Sequence, residues 1–239
     1  MPPDAAPLLA LRSLAAAYGP MQVLWGVDLD VRPSETVLLL GANGAGKTTT
    51  LKSVVGLMPL KGGAILLDGG EITSQRADRR MRSGLAYMSE LGVFPDLTIA
   101  ENIRVGAQRA TRAEAARRAE ELYALFPVLR EKRRQPASSL SGGQRKMLGI
   151  AKALASAPRL LVMDEPSAGL SPLFVGEVIR ALATLRGRGL SLLIAEQNIA
   201  FLNLADRVFV LEGGRIRFTG TVADMEGDEE LRKAYFGLK

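Results

Sequence analysis

Nine residues, GANGAGKTT, constrain the fold of this 239-residue chain more than any other segment. They span Gly41–Thr49 and lie between an unbroken apolar run, Thr36–Leu40, and the helical pattern KTTTLKSVVGL. An unbroken apolar run indicates a strand that is covered on both faces of a sheet. The glycines let the backbone turn its N–H groups inward, toward phosphate oxygens at the N-terminus of the helix. The segment therefore predicts a phosphate-binding loop in an α/β fold.

The side chains of this loop have separate roles in such a site. Lys47 can reach the β- and γ-phosphates of a nucleotide, and the Thr48 hydroxyl can ligate Mg²⁺. A glycine-rich turn without a ligand is the alternative interpretation. We expect the nucleotide contacts of this loop to come from Asn43, Gly44, Ala45, Gly46, Lys47, Thr48 and Thr49.

Two acids follow a second apolar run. Residues Leu160–Met163 lead into Asp164 and Glu165, so both carboxylates are expected at the carboxyl end of a buried strand. Open α/β sheets bind their ligands at that edge. We expect Asp164 to hold Mg²⁺ through water, and Glu165 to polarise the water that attacks the γ-phosphate. A turn that merely ends the strand would also explain Asp-Glu-Pro, but the phosphate loop favours the catalytic interpretation.

The apolar pattern changes along the chain and divides it into parts. Residues 25–31 alternate between apolar and polar, which indicates a half-buried strand of an antiparallel sheet. Thr111–Phe126 has helical spacing and opens with a capping box completed by Glu114. Residues 208–218 predict a hairpin. The sequence thus predicts an α/β core that is interrupted by a helical insert at residues 90–157.

Composition limits the compartment and the partners. The chain has no Cys, which excludes disulfides and thiolate metal sites and makes the cytoplasm the expected compartment. No apolar run approaches the roughly 18 residues that span a bilayer. The net charge is +6, and eight Arg or Lys stand against four Glu between Arg109 and Arg134. Such a charge fits either a solvated basic surface or an anionic ligand.

The most specific motif is LSGGQ, Leu140–Gln144, which leads into the helical pattern RKMLGIAKALASAP. It predicts a second helix N-terminus that can bind an anion, although a Ser-Gly linker capped into a helix would look similar. The motif lies between GANGAGKT and LLVMDE. With these three segments in this order, the sequence resembles the ATP-binding cassette (ABC) family, and the resemblance covers essentially the whole chain.

The resemblance implies an α/β fold with a P-loop NTPase (RecA-like) core, an antiparallel β-subdomain and an inserted α-helical subdomain. Residues 1–239 would form one ABC nucleotide-binding domain. Its core and β-subdomain would comprise residues 1–89 and 158–239, and its helical subdomain residues 90–157.

The family also implies ATP and Mg²⁺ as cofactors, and a dimer in which two chains enclose two ATP molecules. In that dimer the γ-phosphate held by one subunit would be bound by the opposing subunit's copies of Ser141, Gly142, Gly143 and Gln144. Tyr18 matches the aromatic residue that stacks on adenine, although it would equally fit a tyrosine that ends a strand.

Three positions depart from the usual family pattern. Glu90 stands where the family usually has Gln, and we expect it to take part in catalysis and in Mg²⁺ binding. Ser171 ends the loop SAGLS, where the family commonly has Asp, which puts communication between the two sites through that Asp in doubt. Gln197 occupies the position of a histidine that contacts the γ-phosphate, and the chain has no His. The alternative is that Gln197 faces water and Asn198 only caps the helix Ile199–Leu204.

The three departures resemble the ATPases of branched-chain amino acid importers of the LivF type. The resemblance implies a subunit on the cytoplasmic face of the membrane, with a second ABC ATPase (the same chain or a different one), two transmembrane permeases and, indirectly, a periplasmic or extracellular solute-binding protein. Phe94, Pro95 and Leu97 are candidates for the permease contact, or else anchor their loop to the core.

Other functions compete with this one. A urea or lipid transport system would use the same ATPase. A soluble ABC ATPase acting on nucleic acid would use the basic surface, but only 93 residues separate Lys47 from Ser141, which leaves no room for a long coiled-coil insertion, and we expect no nucleic acid partner. A kinase built on a phosphate loop would lack LSGGQ.

Overall fold

A computed structural model describes residues 6–89 and 92–236. Its strands are β1 (Leu9–Tyr18), β2 (Met21–Val31), β3 (Thr36–Leu40), β4 (Gly62–Leu67), β5 (Gly70–Glu71), β6 (Leu85–Met88), β7 (Leu160–Asp164), β8 (Ser191–Glu196), β9 (Arg207–Glu212) and β10 (Arg215–Gly220). Its α-helices are α1 (Lys47–Val54), α2 (Ala77–Arg82), α3 (Ile99–Gly106), α4 (Arg112–Leu125), α5 (Pro127–Glu131), α6 (Gly142–Leu154), α7 (Pro172–Arg186), α8 (Val222–Gly227) and α9 (Glu229–Phe236). Two short 3₁₀ helices span Ala137–Ser139 and Ile199–Leu204.

The larger sheet has six strands in the order β10-β9-β3-β8-β7-β6. All its pairings are parallel except that of β9 with β10, which form the hairpin that residues 208–218 predicted. Each residue of β3, β7 and β8 is buried, as expected for apolar runs covered on both faces. In register, Leu40 pairs with Glu196 and Asp164 with Ala195, so three strands end together at one edge of the sheet.

The smaller sheet is antiparallel, in the order β2-β1-β4-β5. The alternating segment at residues 25–31 lies in β2 and pairs with β1, so the predicted half-buried antiparallel strand is confirmed. Buried side chains of this sheet, such as Leu24, share one apolar cluster with Leu39 of β3 and Leu51 of α1. The helix that follows the phosphate loop is therefore packed between the two sheets.

Between β6 and β7 the described residues form α3 to α6 and one 3₁₀ helix. Capping boxes open three of these α-helices, at Thr98, Thr111 and Ser141. The helix predicted at Thr111–Phe126 is α4, which begins one residue later and ends one residue earlier, because the terminal residues serve as its caps. The division of the chain at residues 90 and 157 into subdomains stays a prediction.

None of the helices within residues 6–89 and 92–236 combines the length and the apolar character that a bilayer crossing requires.

Candidate nucleotide-binding site

The phosphate loop connects β3 to α1 and has the backbone that its glycines predict. Gly44 and Gly46 adopt φ values of +81° and +109°, in the region that side chains disfavour. At Gly41 an added Cβ would lie 2.5 Å from the carbonyl oxygen of Leu211. Gly46 is the N-cap of α1 and forms no side-chain cap, and the first turn of α1 has no acid among these described residues. The helix N-terminus is therefore available to an anion.

Lys47 is folded back into the loop, and only 4% of its side chain is exposed. Its Nζ donates to the carbonyl oxygens of Gly41 at 2.8 Å and Ala42 at 3.1 Å. The same atom lies 3.2 Å from Oε1 of Glu165. The ammonium group is thus held at the mouth of the loop, beside the carboxylate that the sequence predicts as the catalytic base.

Asp164, the last residue of β7, lies against the first turn of α1. Its Oδ1 accepts a hydrogen bond of 3.0 Å from the Thr48 hydroxyl, and its Oδ2 accepts one of 3.2 Å from the Tyr87 hydroxyl. Burial raises the pKa of Asp164 above its ordinary value, and these two hydrogen bonds oppose the rise. Burial, followed by the nearby charge of Asp164, also raises the pKa of Tyr87, so the phenol stays a donor at neutral pH.

Glu165 follows directly and has a left-handed backbone, with φ of +46°. Its N–H donates to the carbonyl oxygen of Ala195 at 2.9 Å, and its own carbonyl oxygen accepts from Nζ of Lys146 at 3.1 Å. Strained conformations of this kind persist where the surrounding structure fixes them. The backbone of Glu165 is thus held from β8 and from α6, which directs its carboxylate toward Lys47.

Gln197 lies in contact with two of the other predicted site residues. Its Nε2 donates to Oδ1 of Asn43 at 2.8 Å and to Oε1 of Glu165 at 2.9 Å. The side chain of Asn198 accepts from the N–H of Ala200 at 3.0 Å and so caps the 3₁₀ helix Ile199–Leu204. Asn198 is therefore a cap, as the alternative has it. Gln197 is exposed, but its side chain also contacts Asn43 and Glu165.

The LSGGQ residues are positioned by the helix that they open. Ser141 is the N-cap of α6, where its hydroxyl accepts from the N–H of Gln144 at 3.3 Å and the Gln144 side chain accepts from the N–H of Ser141 at 3.2 Å. Ser141 and Gly142 are exposed, whereas Gly143 is buried and an added Cβ would lie 2.8 Å from the Phe174 ring. An exposed helix N-terminus of this kind can accept an anion from outside the chain.

Among the described residues, Tyr18 takes no part in the hydrogen bonds given above. Tyr18 ends β1, pairs with Met21 across the turn and is 46% exposed, so its ring is available for stacking. Glu90 lies outside the described residues. The roles assigned to both stay predictions, as do the roles of the other site residues.

Three residues of this region were not predicted from the sequence. They are Tyr87 on β6, which donates to Asp164; Lys146 on α6, which donates to the Glu165 backbone; and Glu196, whose carboxylate contacts the backbone around Gln197. Tyr87 and Lys146 reach the site only through the order of the sheet strands and the position of α6, which no motif encodes. Glu196 had a signal, because a carboxylate directly after a buried apolar run is unusual.

These residues fit the nucleotide and metal that the sequence predicts. The uncapped N-terminus of α1 and the Lys47 ammonium suit phosphate oxygens, and the Thr48 and Asp164 oxygens are the hard ligands that Mg²⁺ prefers.

Comparison with known proteins decides the family. A family model described as "ABC transporter" matches residues 24–168, which include the phosphate loop, the LSGGQ motif and both acids. The chain belongs to the ABC transporter family. It is therefore an ATP-binding subunit of a transporter, and its activity is ATP hydrolysis.

Curated relatives match this ABC subunit over nearly its whole length. The branched-chain amino acid transport ATP-binding protein BraG of Pseudomonas aeruginosa is 36% identical and covers 96% of the chain and 100% of BraG. The probable branched-chain amino acid transport ATP-binding protein LivF of Archaeoglobus fulgidus is 35% identical, covering 97% of the chain and 99% of LivF. The lipopolysaccharide export system ATP-binding protein LptB of Haemophilus influenzae is 35% identical, covering 96% of the chain and 97% of LptB.

Solved structures agree on the fold. A solved structure described as the ATP binding subunit of an ABC transporter superposes on this chain with a TM-score of 0.83 and is 30% identical in sequence. The superposition covers 96% of this chain and 96% of that one. The predicted P-loop NTPase fold of an ABC ATPase is thereby confirmed, as is the resemblance to ATP-binding proteins of branched-chain amino acid transport.

Proposed function

We propose that this subunit energises the import of branched-chain or other hydrophobic amino acids. The support is the likeness to BraG and LivF over the whole chain, together with the departures at Glu90, Ser171 and Gln197 that resemble the LivF type. It would lie on the cytoplasmic face of the membrane, bound to its permeases.

The observation that carries the hydrolytic part of this proposal is the Lys47–Glu165–Gln197 cluster beside the Thr48–Asp164 pair. Lys47 and the N-terminus of α1 bind the phosphates of ATP. Thr48 and Asp164 would hold Mg²⁺, which would supply positive charge to neutralise the phosphates. Glu165, oriented by Lys47 and by Gln197, accepts the proton of the attacking water.

The exposed LSGGQ segment supports a dimer. Because Ser141 and Gly142 are exposed at the start of α6, they can bind the γ-phosphate held by a second ABC ATPase subunit. Two subunits would then enclose two ATP molecules, and closing and opening of this dimer would drive the two permeases. A solute-binding protein would deliver the amino acid from outside.

Phe94 is our candidate for the contact with a permease. Its side chain is 47% exposed, yet its backbone is anchored, because the buried Asn102 accepts from the N–H of Phe94 at 2.8 Å and donates to its carbonyl oxygen at 2.9 Å. The ammonium of Lys152 lies 4.5 Å from the centre of the Phe94 ring. An exposed aromatic side chain on an anchored backbone suits a protein partner.

Export of a lipid is the second candidate, because LptB and LivF are each 35% identical to this chain. A transport assay separates the two. The chain would be reconstituted in vesicles with the permeases and solute-binding protein encoded beside its gene, and uptake of radiolabelled leucine would be measured with ATP inside. We expect ATP-dependent uptake that the Glu165→Gln variant lacks. Hydrolysis that lipopolysaccharide stimulates, without leucine uptake, would contradict the proposal.

A further inference from the structure

Glu196 is a buried acid beside the nucleotide site, and the proposed mechanism gives it no role. It is the last residue of β8 and only 2% exposed. It pairs in register with Leu40, the residue that precedes the phosphate loop. A buried carboxylate is costly unless its oxygens receive hydrogen bonds, so its partners indicate what it does.

Its partners are backbone N–H groups from two different segments. Oε1 accepts from the N–H of Ser167 at 2.7 Å, in the loop that follows Glu165. Oε2 accepts from the N–H of Gln197 at 3.0 Å and from that of Asn198 at 3.1 Å. One carboxylate therefore joins the segment after Glu165 to the segment that carries Gln197.

The joined segments carry the two side chains that meet at the site. Glu165 lies two residues before Ser167, and its Oε1 accepts from Nε2 of Gln197 at 2.9 Å. If the two segments separated, this side-chain contact would lengthen. The Glu196 carboxylate is thus placed to keep the distance between Glu165 and Gln197 constant while other parts of the site move.

We infer that Glu196 is a positioning residue that locks the loop Ser167–Ser171 to Gln197 and so fixes the orientation of Glu165. Its carboxylate acts through the backbone N–H groups of Ser167, Gln197 and Asn198. This inference rests on the proposed role of Glu165 as the base. It adds a link between that base and the SAGLS loop, which has Ser171 in place of the Asp common in the family.

The Glu196→Gln variant tests this role because it keeps the volume of the side chain. An amide has one acceptor oxygen, so it can serve Ser167 or the Gln197 and Asn198 N–H groups, but not both segments. We expect kcat for ATP to fall about tenfold while KM changes less than about threefold, because orientation is lost and binding is kept.

Glu35→Gln is a matched control. Glu35 is also a buried acid, 5% exposed, but it precedes β3 at the opposite edge of the sheet, where Oε2 accepts from the N–H of Arg32 and Oε1 from Arg207. We expect it to lower the thermal unfolding temperature without lowering kcat. A fall in kcat that both variants share would show that Glu196 acts only through stability and would overturn the inference.

A double-mutant cycle with Gln197→Ala tests whether the two residues act as a unit. If each single change costs about tenfold in kcat and Glu196 acts through Gln197 and Glu165, the double variant should lose about tenfold to twentyfold. A loss of about a hundredfold would mean independent effects and would overturn the link.

Hydrogen exchange of the nucleotide-free chain gives a readout that does not depend on activity. The peptides that contain Ser167 and residues 197–198 should exchange at least about tenfold faster in Glu196→Gln than in the wild type. Unchanged exchange would overturn the inference. If Glu196→Gln does not fold, Glu196→Asp, which is one methylene shorter, takes its place with the same expectations. The kcat measurements also include the Glu165→Gln variant of the same protein. Loss of hydrolysis in that variant supports Glu165 as the base, so failure of the proposed base is detected separately from failure of this inference.

Discussion

Replacing Gln197 by Ala removes the contact that distinguishes this site from one built on histidine. In the structure Nε2 of Gln197 donates to Oε1 of Glu165 at 2.9 Å and to Asn43 at 2.8 Å. Glu165 keeps its ion pair with Lys47 at 3.2 Å, so the carboxylate is loosened but not released. The variant should therefore slow hydrolysis without eliminating it.

The size of the effect follows from the hydrogen bond that is lost. A hydrogen bond to a charged group contributes roughly 1.5–3 kcal/mol, and the lower end applies here because 28% of the Glu165 side chain is exposed and water can replace the amide. About 1.4 kcal/mol corresponds to a tenfold lower rate. The assay is steady-state hydrolysis by the complete transporter at saturating MgATP.

Asn203→Ala is the matched control, because Asn203 is an exposed amide on the neighbouring 3₁₀ helix and, among the described residues, donates only to the carbonyl oxygen of Ala200. It should hydrolyse ATP at the wild-type rate. An unchanged rate in Gln197→Ala would refute the idea that the amide orients Glu165. A loss beyond about a thousandfold would mean that the amide takes part in the chemistry itself.

Three further changes probe other parts of the account. Lys47→Ala should weaken MgATP binding at least about a hundredfold by calorimetry, since the central phosphate contact is lost, and normal affinity would contradict the phosphate-loop assignment. Asp164→Asn should unfold at a higher temperature than the wild type near pH 7 without nucleotide. Burial raises the pKa of Asp164 in the folded state, so ionisation of this carboxyl lowers the stability of the wild type at pH values above that pKa. The difference in unfolding temperature should shrink as the acid protonates at lower pH. A lower unfolding temperature at neutral pH would count against this. Phe94→Ala should reduce co-purification with the permeases while the isolated chain hydrolyses ATP as before, and unchanged co-purification would place the contact elsewhere.

The sequence was sufficient to predict the structure wherever a short segment determines its own conformation. The glycines of the phosphate loop, the capping box at Thr111 and the unbroken run of β3 each encode their own conformation, and the structure has them as predicted. The family resemblance then supplied the fold class, which local rules cannot give.

The contacts between distant segments could not be obtained in this way. The bond from Tyr87 to Asp164 depends on β6 lying beside β7, and that from Lys146 to the Glu165 backbone on where α6 packs. For Gln197 the motif position indicated a phosphate contact, but its hydrogen bond to Glu165 depends on the side-chain geometry of two neighbouring strand ends. Hydrogen bonds between residues that are distant in the sequence follow from the three-dimensional structure and not from a local sequence pattern.

The Glu165→Gln variant tests the central claim most directly, because it changes one oxygen of the proposed base to an amide nitrogen and leaves the Lys47 and Thr48 phosphate contacts in place. The dissociation constant for ATP and the hydrolysis rate would be measured side by side in the complete transporter. The account predicts a dissociation constant within about threefold of the wild type and a rate lower by about a thousandfold or more. A variant that hydrolyses ATP at close to the wild-type rate would contradict it.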